Sequence, residues 1–218
     1  MNRLRLIALL CAALCALPVA ALASPGGVAY QEPVVALPAT DAVLLGHVMH
    51  VRGSLPGGGG QTVVLERRAA DGPWVQAATT VTGGDGAFDA AWKTNSTGHF
   101  DLRARPATTD GAAAAAAAAQ QISTVTVYRR AVATWFGPGF YGHRTACGQR
   151  LTHRLLGVAN RTLPCGTKVS LLYRGRTITV PVVDRGPFAH GVSYDLTSAT
   201  AQALAMTRTA RIGAVRGE

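Results

Sequence analysis

At 218 residues the chain has room for one or two domains. Its formal charge of +10 comes from 21 Lys/Arg against 11 Asp/Glu, a field that selects polyanionic partners. In solution that often means nucleic acid, but the first residues read as an export signal, which weighs against nucleic acid and for an anionic cell wall, the alternative being a basic face that only keeps the protein soluble.

Residues 1–23 carry that signal: Arg3 and Arg5 form a basic start, Leu6 to Val19 an apolar run, and Ala21-Leu22-Ala23 a cleavage site. The run is short for a membrane span and is followed by Pro25-Gly26, so no transmembrane anchor is expected after cleavage. Cys11 and Cys15 each follow a leucine, where lipid attachment needs a small residue, so soluble release is expected. Residues 24–40 are Pro/Ala/Val-rich without periodicity and read as a linker.

From residue 41 to 128 the pattern is β. Phe88 to Lys93 and Phe100 to Arg105 alternate apolar and polar, as do Val63 and Leu65 against Thr62 and Glu66. Turn clusters separate them at Pro56–Gly60, Ala70–Pro73, Gly83–Gly86 and Asn95–Gly98. Such spacing predicts an immunoglobulin-like β-sandwich. Gly111 and the alanines from Ala112 to Ala119 read as a loop, too short for a stable isolated helix, before a strand from Ile122 to Tyr128. His47 and His50, three apart on a strand, point to opposite faces, so no metal site is expected.

Residues 129–218 differ in charge. Between 24 and 128 there are six basic and eight acidic residues, a balance of −2; from Arg129 thirteen Lys/Arg face only Asp184, Asp195 and Glu218, a balance of +10. Lys168–Tyr173 and Thr177–Val183 read as strands joined by a tight turn at Arg174-Gly175-Arg176. Leu196–Met206 reads as a helix capped by Thr197 or Ser198, and Ala210–Val215 as a last strand. The apolar strand before Asp184 delivers that carboxylate into a Gly186-Pro187 turn, where it either faces a groove or bonds its own turn backbone. Asp195 either caps the helix or serves chemistry. Without the signal two cysteines remain, Cys147 and Cys165. In an exported chain the pair reads as a disulfide, worth about 3 kcal/mol, against free thiols or metal ligands.

Read in order, Ala133–Gly142, Arg144-Thr145-Ala146-Cys147-Gly148-Gln149, Gly157–Val169, Val182–Phe188 and Tyr194–Thr197 resemble the rare-lipoprotein-A (RlpA) family. The resemblance covers about 85 residues, to the C-terminus. It implies a six-stranded double-psi β-barrel related to expansins and to a class of lytic transglycosylases, so the whole chain is expected to be mostly β. It also implies action on peptidoglycan glycan strands or another anionic wall polysaccharide, by a cell-wall or extracellular bacterial protein. A monomer without cofactor is expected.

Two carboxylates suit that chemistry. Breaking a glycosidic bond needs a proton for the leaving oxygen as an oxocarbenium-like centre develops. A lytic transglycosylase can use the sugar's own O6 hydroxyl as nucleophile, leaving a 1,6-anhydro end, so one carboxyl can act as acid and then base. Family resemblance points to Asp184 as acid/base in the RlpA branch and to the position of Asp195 in expansins and the related enzymes. Trp135 and Tyr141 are expected to line the groove and stack on pyranose faces. Arg144, Thr145 and Arg185 are expected to bond glycan hydroxyls or carboxylates. Family members that cleave look to carry Glu at Gln149 and His at Asn160; here both residues keep hydrogen-bonding shape without exchanging protons, and are expected to bind substrate in the groove. Two functions therefore stand: a peptidoglycan-cleaving lytic transglycosylase, and an expansin-like module that grips or loosens wall glycan without cutting it.

Overall fold

The computed structural model describes residues 40–55, 58–107 and 123–217. The signal, the linker up to residue 39, Pro56 and Gly57, the alanine run and Ile122 lie outside the described residues. No described helix is long and apolar enough to cross a membrane.

Among the described residues, six strands precede the central one: β1 (Ala42–Leu44), β2 (Val48–Ser54), β3 (Thr62–Ala69), β4 (Val75–Val81), β5 (Ala87–Lys93) and β6 (Gly98–Pro106). In β5 the alternation is complete, with Phe88, Ala90 and Trp92 buried and the residues between them exposed. Met49 and Val51 of β2 meet them, and β2 and β5 form a two-stranded antiparallel sheet. Strands β3, β4 and β6 belong to the larger sheet and share the same core, where Trp92 meets Phe100 edge-on with ring centroids 5.8 Å apart.

On the outer side of β3, Glu66 accepts from Arg103 Nε at 2.7 Å and Arg105 Nη2 at 3.0 Å. Burial pushes the Glu66 carboxyl up, but the hydrogen bonds and charges of Arg105 and Arg103 outweigh it, and the net shift is downward from 4.5. A lowered carboxylate stabilises the fold above its unfolded pKa, and that contribution disappears as pH falls through the folded value. Glu66→Gln is expected to cost about 1–3 kcal/mol near neutrality. In urea melts the difference from the parent should shrink toward pH 3; a pH-independent difference would contradict the ion-pair account.

The central strand, β7 (Ser123–Phe136), has 14 residues and runs on through residues 128 and 129. Its first half pairs with β6 (Phe100 opposite Val125) and in parallel with β1 (Val43 opposite Val127). Its second half enters a barrel with β8 (Val158–Ala159), β9 (Lys168–Tyr173), β10 (Arg176–Asp184), β11 (Tyr194–Thr197) and β12 (Ala210–Arg216). The order β7-β12-β9-β10-β8-β11 closes because β11 returns in parallel to β7, with Tyr194 opposite Ala133 and Thr197 opposite Phe136. Inside lie Ala133, Val158, Val169, Leu171, Val180, Val182, Leu196, Leu204 and Ile212.

The β9–β10 hairpin turns at Arg174 (φ 49) and Gly175 (φ 77), the two left-handed residues of a tight two-residue turn. The helix, α1 (Ser198–Ala203), is shorter than the sequence predicts. Leu196 and Thr197 are drawn into the β11 ladder, and Ala205 at φ 55 ends the helical path. Thr197 is the cap, its hydroxyl accepting from Thr200 N, so Asp195 is not the capping side chain.

Candidate active site

The site begins with a row of four residues across neighbouring strands. Asp184 on β10 lies in register with Ala159 on β8; Ala159 is opposite Asp195 on β11, and Asp195 is opposite Thr134 on β7. Two strand spacings separate the two aspartates, roughly 10 Å between Cα atoms. Val180 and Val182 point into the barrel, and by alternation Asp184 would follow them. The β8–β10 register shifts between Val182 and Asp184, a bulge that re-aims the carboxylate outward beside Ala159.

These four residues line a cavity of about 450 Å³ on the outside of the barrel. Its walls come from the loop after β7, with Phe140, His143, Arg144 and Thr145, and from the turn after β10, with Arg185 and Phe188. Phe140 and Phe188 are 59% and 81% exposed, flat apolar faces beside two acids. Gly186, at φ 114, provides the sharp turn that brings Phe188 to the rim.

The carboxylates are held differently. Asp184 Oδ1 accepts from the backbone N–H groups of Ala146 and Arg185, both at 2.8 Å. Asp195 Oδ1 accepts from the Thr134 hydroxyl at 2.6 Å. Burial pushes the Asp195 carboxyl above its ordinary 3.8; the Thr134 hydrogen bond opposes the rise and the charge of Asp184 adds to it.

Cys147 and Cys165 form a disulfide with Cα atoms 5.7 Å apart. Both ends rest on β10: Cys147 N donates to Val183 O, and Gly166 N, next to Cys165, donates to Val182 O. The bridge thereby secures the loop whose Ala146 N–H reaches Asp184.

Several residues expected at the groove are placed elsewhere or occupied. Trp135, 38% exposed, does not line the cavity; its neighbours Thr134 and Phe136 do. Tyr141 is also outside it, bonded to Ser198 Oγ at 2.8 Å and stacked on His153 with centroids 3.7 Å apart. Gly137 allows that contact, since a Cβ there would sit 2.6 Å from the Tyr141 hydroxyl. Gln149 takes the Thr145 hydroxyl on its Oε1. Asn160 is buried and organises its own loop, accepting from Thr162 N and Leu163 N and donating to Ser193 O. Arg144 and Arg185 line the cavity, yet Arg144 donates to Gly148 O, and Arg185 to the carbonyls of Asn160 and Leu163. Their immediate work is to shape the walls.

Of the aromatic cluster Trp135, Phe136, Phe140 and Tyr141 that the sequence offers for stacking on sugars, Phe136 and Phe140 line the cavity; the residues that sequence reasoning missed are Ala159, Thr134, His143 and Phe188. Only Phe188, within the Asp-Arg-Gly-Pro-Phe run, gave a local signal. Ala159 matters by being small. Ala159→Leu would put four heavy-atom positions' worth of bulk, in place of one methyl, between the aspartates, and is expected to cut glycan binding or turnover about tenfold or more at a stability cost of about 1–3 kcal/mol. Sedimentation with wall sacculi, read beside a thermal melt, checks this; undiminished binding and turnover would show that the floor is not used.

A family model described as lytic transglycolase matches residues 128–216. Residues 128–216 are an RlpA-like double-psi β-barrel. The RlpA-like domain is 42% identical over 84 residues to a protein of Synechocystis named probable endolytic peptidoglycan transglycosylase RlpA, covering 38% of this chain and 26% of that one. It is 43% identical over 83 residues to the Aquifex aeolicus protein of the same name, covering 37% of each. A Campylobacter jejuni protein named endolytic peptidoglycan transglycosylase RlpA is 40% identical over 77 residues, covering 34% of this chain and 28% of its own length. The chain thus spans between about a quarter and two fifths of the RlpA proteins it matches.

Proposed function

We propose that the chain is an exported peptidoglycan-active protein, a lytic transglycosylase that cleaves MurNAc-β-1,4-GlcNAc bonds and leaves 1,6-anhydro ends. The observation that carries this reading is the pair of aspartates flanking Ala159 on the floor of one cavity. Asp195, whose carboxyl burial shifts upward, is the better suited of the two to carry a proton and give it to the leaving oxygen. Deprotonated, it can take the proton of the O6 hydroxyl as that oxygen closes on C1. Asp184, anchored through Oδ1, presents its other oxygen to the developing oxocarbenium-like centre. The roles read from sequence, with Asp184 as acid/base and Asp195 assisting, are exchanged in this proposal. Phe140 and Phe188 supply the apolar faces on which pyranose rings stack.

A second reading, an expansin-like wall-binding module, is favoured by Gln149 and Asn160, neither of which exchanges protons and both of which are engaged within loops. Incubating the full chain with peptidoglycan and looking for 1,6-anhydromuropeptides by mass spectrometry separates the two. Products from the parent protein support cleavage. Tight sedimentation with sacculi and no such products would hand the function to the binding module.

A further inference from the structure

A second cleft, of about 780 Å³, shares no lining residue with the first. It lies between β1 with the turn after it and the outer face of β7, β12 and β9. Four arginines line it: Arg130, Arg174, Arg208 and Arg211, with His47 beside them and Asp41 as the cleft's one carboxylate residue.

The register brings these charges together. Gly213 on β12 is opposite both Arg130 on β7 and Leu172 on β9. Arg211, opposite Val132, lies diagonally from Arg130, and Arg174 follows the end of β9 in the turn that lines the same cleft. Like charges on adjacent strands disfavour the sheet. In the N-terminal strands such positions are neutralised: Arg52 pairs with Asp89, Arg68 with Asp101, and Arg103 and Arg105 with Glu66. Among the described residues, none of the four cleft arginines forms an ion pair. Two are nonetheless held in place, Arg130 against His47 Nε2 at 2.7 Å and Arg174 over the Tyr173 ring at 5.4 Å. A cation cluster kept together with one carboxylate residue among its lining and no ion pair of its own is complementary to a bound oxyanion.

We propose that this cleft binds a linear phosphodiester-linked polymer of the cell wall. A phosphodiester offers two non-bridging oxygens, one for Arg174 and one for Arg211, while the chain continues in both directions. A single-stranded nucleic acid carries the same group but also needs aromatic faces for its bases. Of the two rings lining this cleft, Tyr173 is buried and covered by Arg174, and the His47 imidazole is engaged by Arg130. Arg130 and Thr134 lie on the same side of β7, four residues or roughly 13 Å apart, so a polymer held here runs close to the acidic cavity. The binding site stands on its own geometry; only the wall as the source of the polymer rests on the proposed function.

The test uses the full chain and fluorescently labelled poly(glycerol phosphate), with binding followed by anisotropy through a salt titration. The double variant Arg174→Gln/Arg211→Gln is expected to bind about tenfold or more weakly and to lower the slope of log K against log salt by about 2. Arg130→Gln/Arg208→Gln should weaken binding independently, so the outcome does not hang on one variant's folding. Release of anhydro ends from short, phosphate-free glycan should stay at the parent level in both variants. If no form releases such ends but the arginine variants still lose polymer, the cleavage reading fails and the cleft stands. Equal binding by parent and variants, polyglutamate held as tightly as the phosphodiester chain, or an oligonucleotide held more tightly would overturn the proposal.

Discussion

Asp195→Asn is expected to lower release of 1,6-anhydro ends by about 10²–10⁴-fold and, in the same protein, to raise the melting temperature at neutral pH. Both effects have one cause. Burial disfavours the ionised form of this carboxyl, a cost that Asn removes while still accepting from Thr134. The gain should fall within about 0.5–2 kcal/mol, the usual range for relaxing an active site. The sign follows from linkage: an acid whose folded pKa is raised contributes stability below its unfolded pKa, and that contribution is lost as pH rises through the folded value. The advantage of Asn should therefore be largest above that value and vanish near pH 3. Asp184→Asn, whose Oδ1 contacts are to backbone donors, should also lower turnover. A variant that loses activity with no stabilisation at pH 7, or is stabilised equally at pH 3, would remove Asp195 from the proton-donor role.

Reduction of Cys147–Cys165 is expected to cost about 3 kcal/mol, a fall of roughly 10–25 °C in the melting temperature of the barrel. Activity should fall at temperatures where the barrel is still folded. The bridged loop carries the Ala146 N–H that orients Asp184 and the His143–Thr145 stretch that walls the cavity. The Cys147→Ser/Cys165→Ser double variant should reproduce both losses without reductant. A reduced protein that melts within a degree or two of the oxidised form and turns over normally would show that the loop is held by its hydrogen bonds alone.

How much of this was legible in the sequence depended on distance along the chain. The β9–β10 hairpin, the last strand and the Thr197 cap declare themselves within a few residues through alternation, a left-handed Arg-Gly pair and a hydroxyl before Ala/Gln residues. The family motifs brought out both aspartates. The parallel pairings of β1 and β11 with β7 join residues 60 or more positions apart and leave no local mark. They decide which side each residue of β7 faces. That is why Trp135, the larger and more conspicuous ring, looked like a sugar platform while Thr134 and Phe136 hold the places at the cavity. The same holds for Ala159, an unremarkable residue until β10 and β11 settle on either side of it. The helical pattern begins two residues too early because Leu196 and Thr197 have a partner strand that no helical pattern can reveal.

β7 is one uninterrupted ladder serving both hydrophobic cores, with Val125 and Val127 in one and Ala133 in the other. A hinge between them would have to break paired backbone, so the two halves should turn and carry load as one beam. Pulling on a glycan gripped by the barrel would transmit force to the N-terminal sheet along the strand axis, in shear. A barrel excised at residue 129 would start in the middle of that beam, with a severed end exposed.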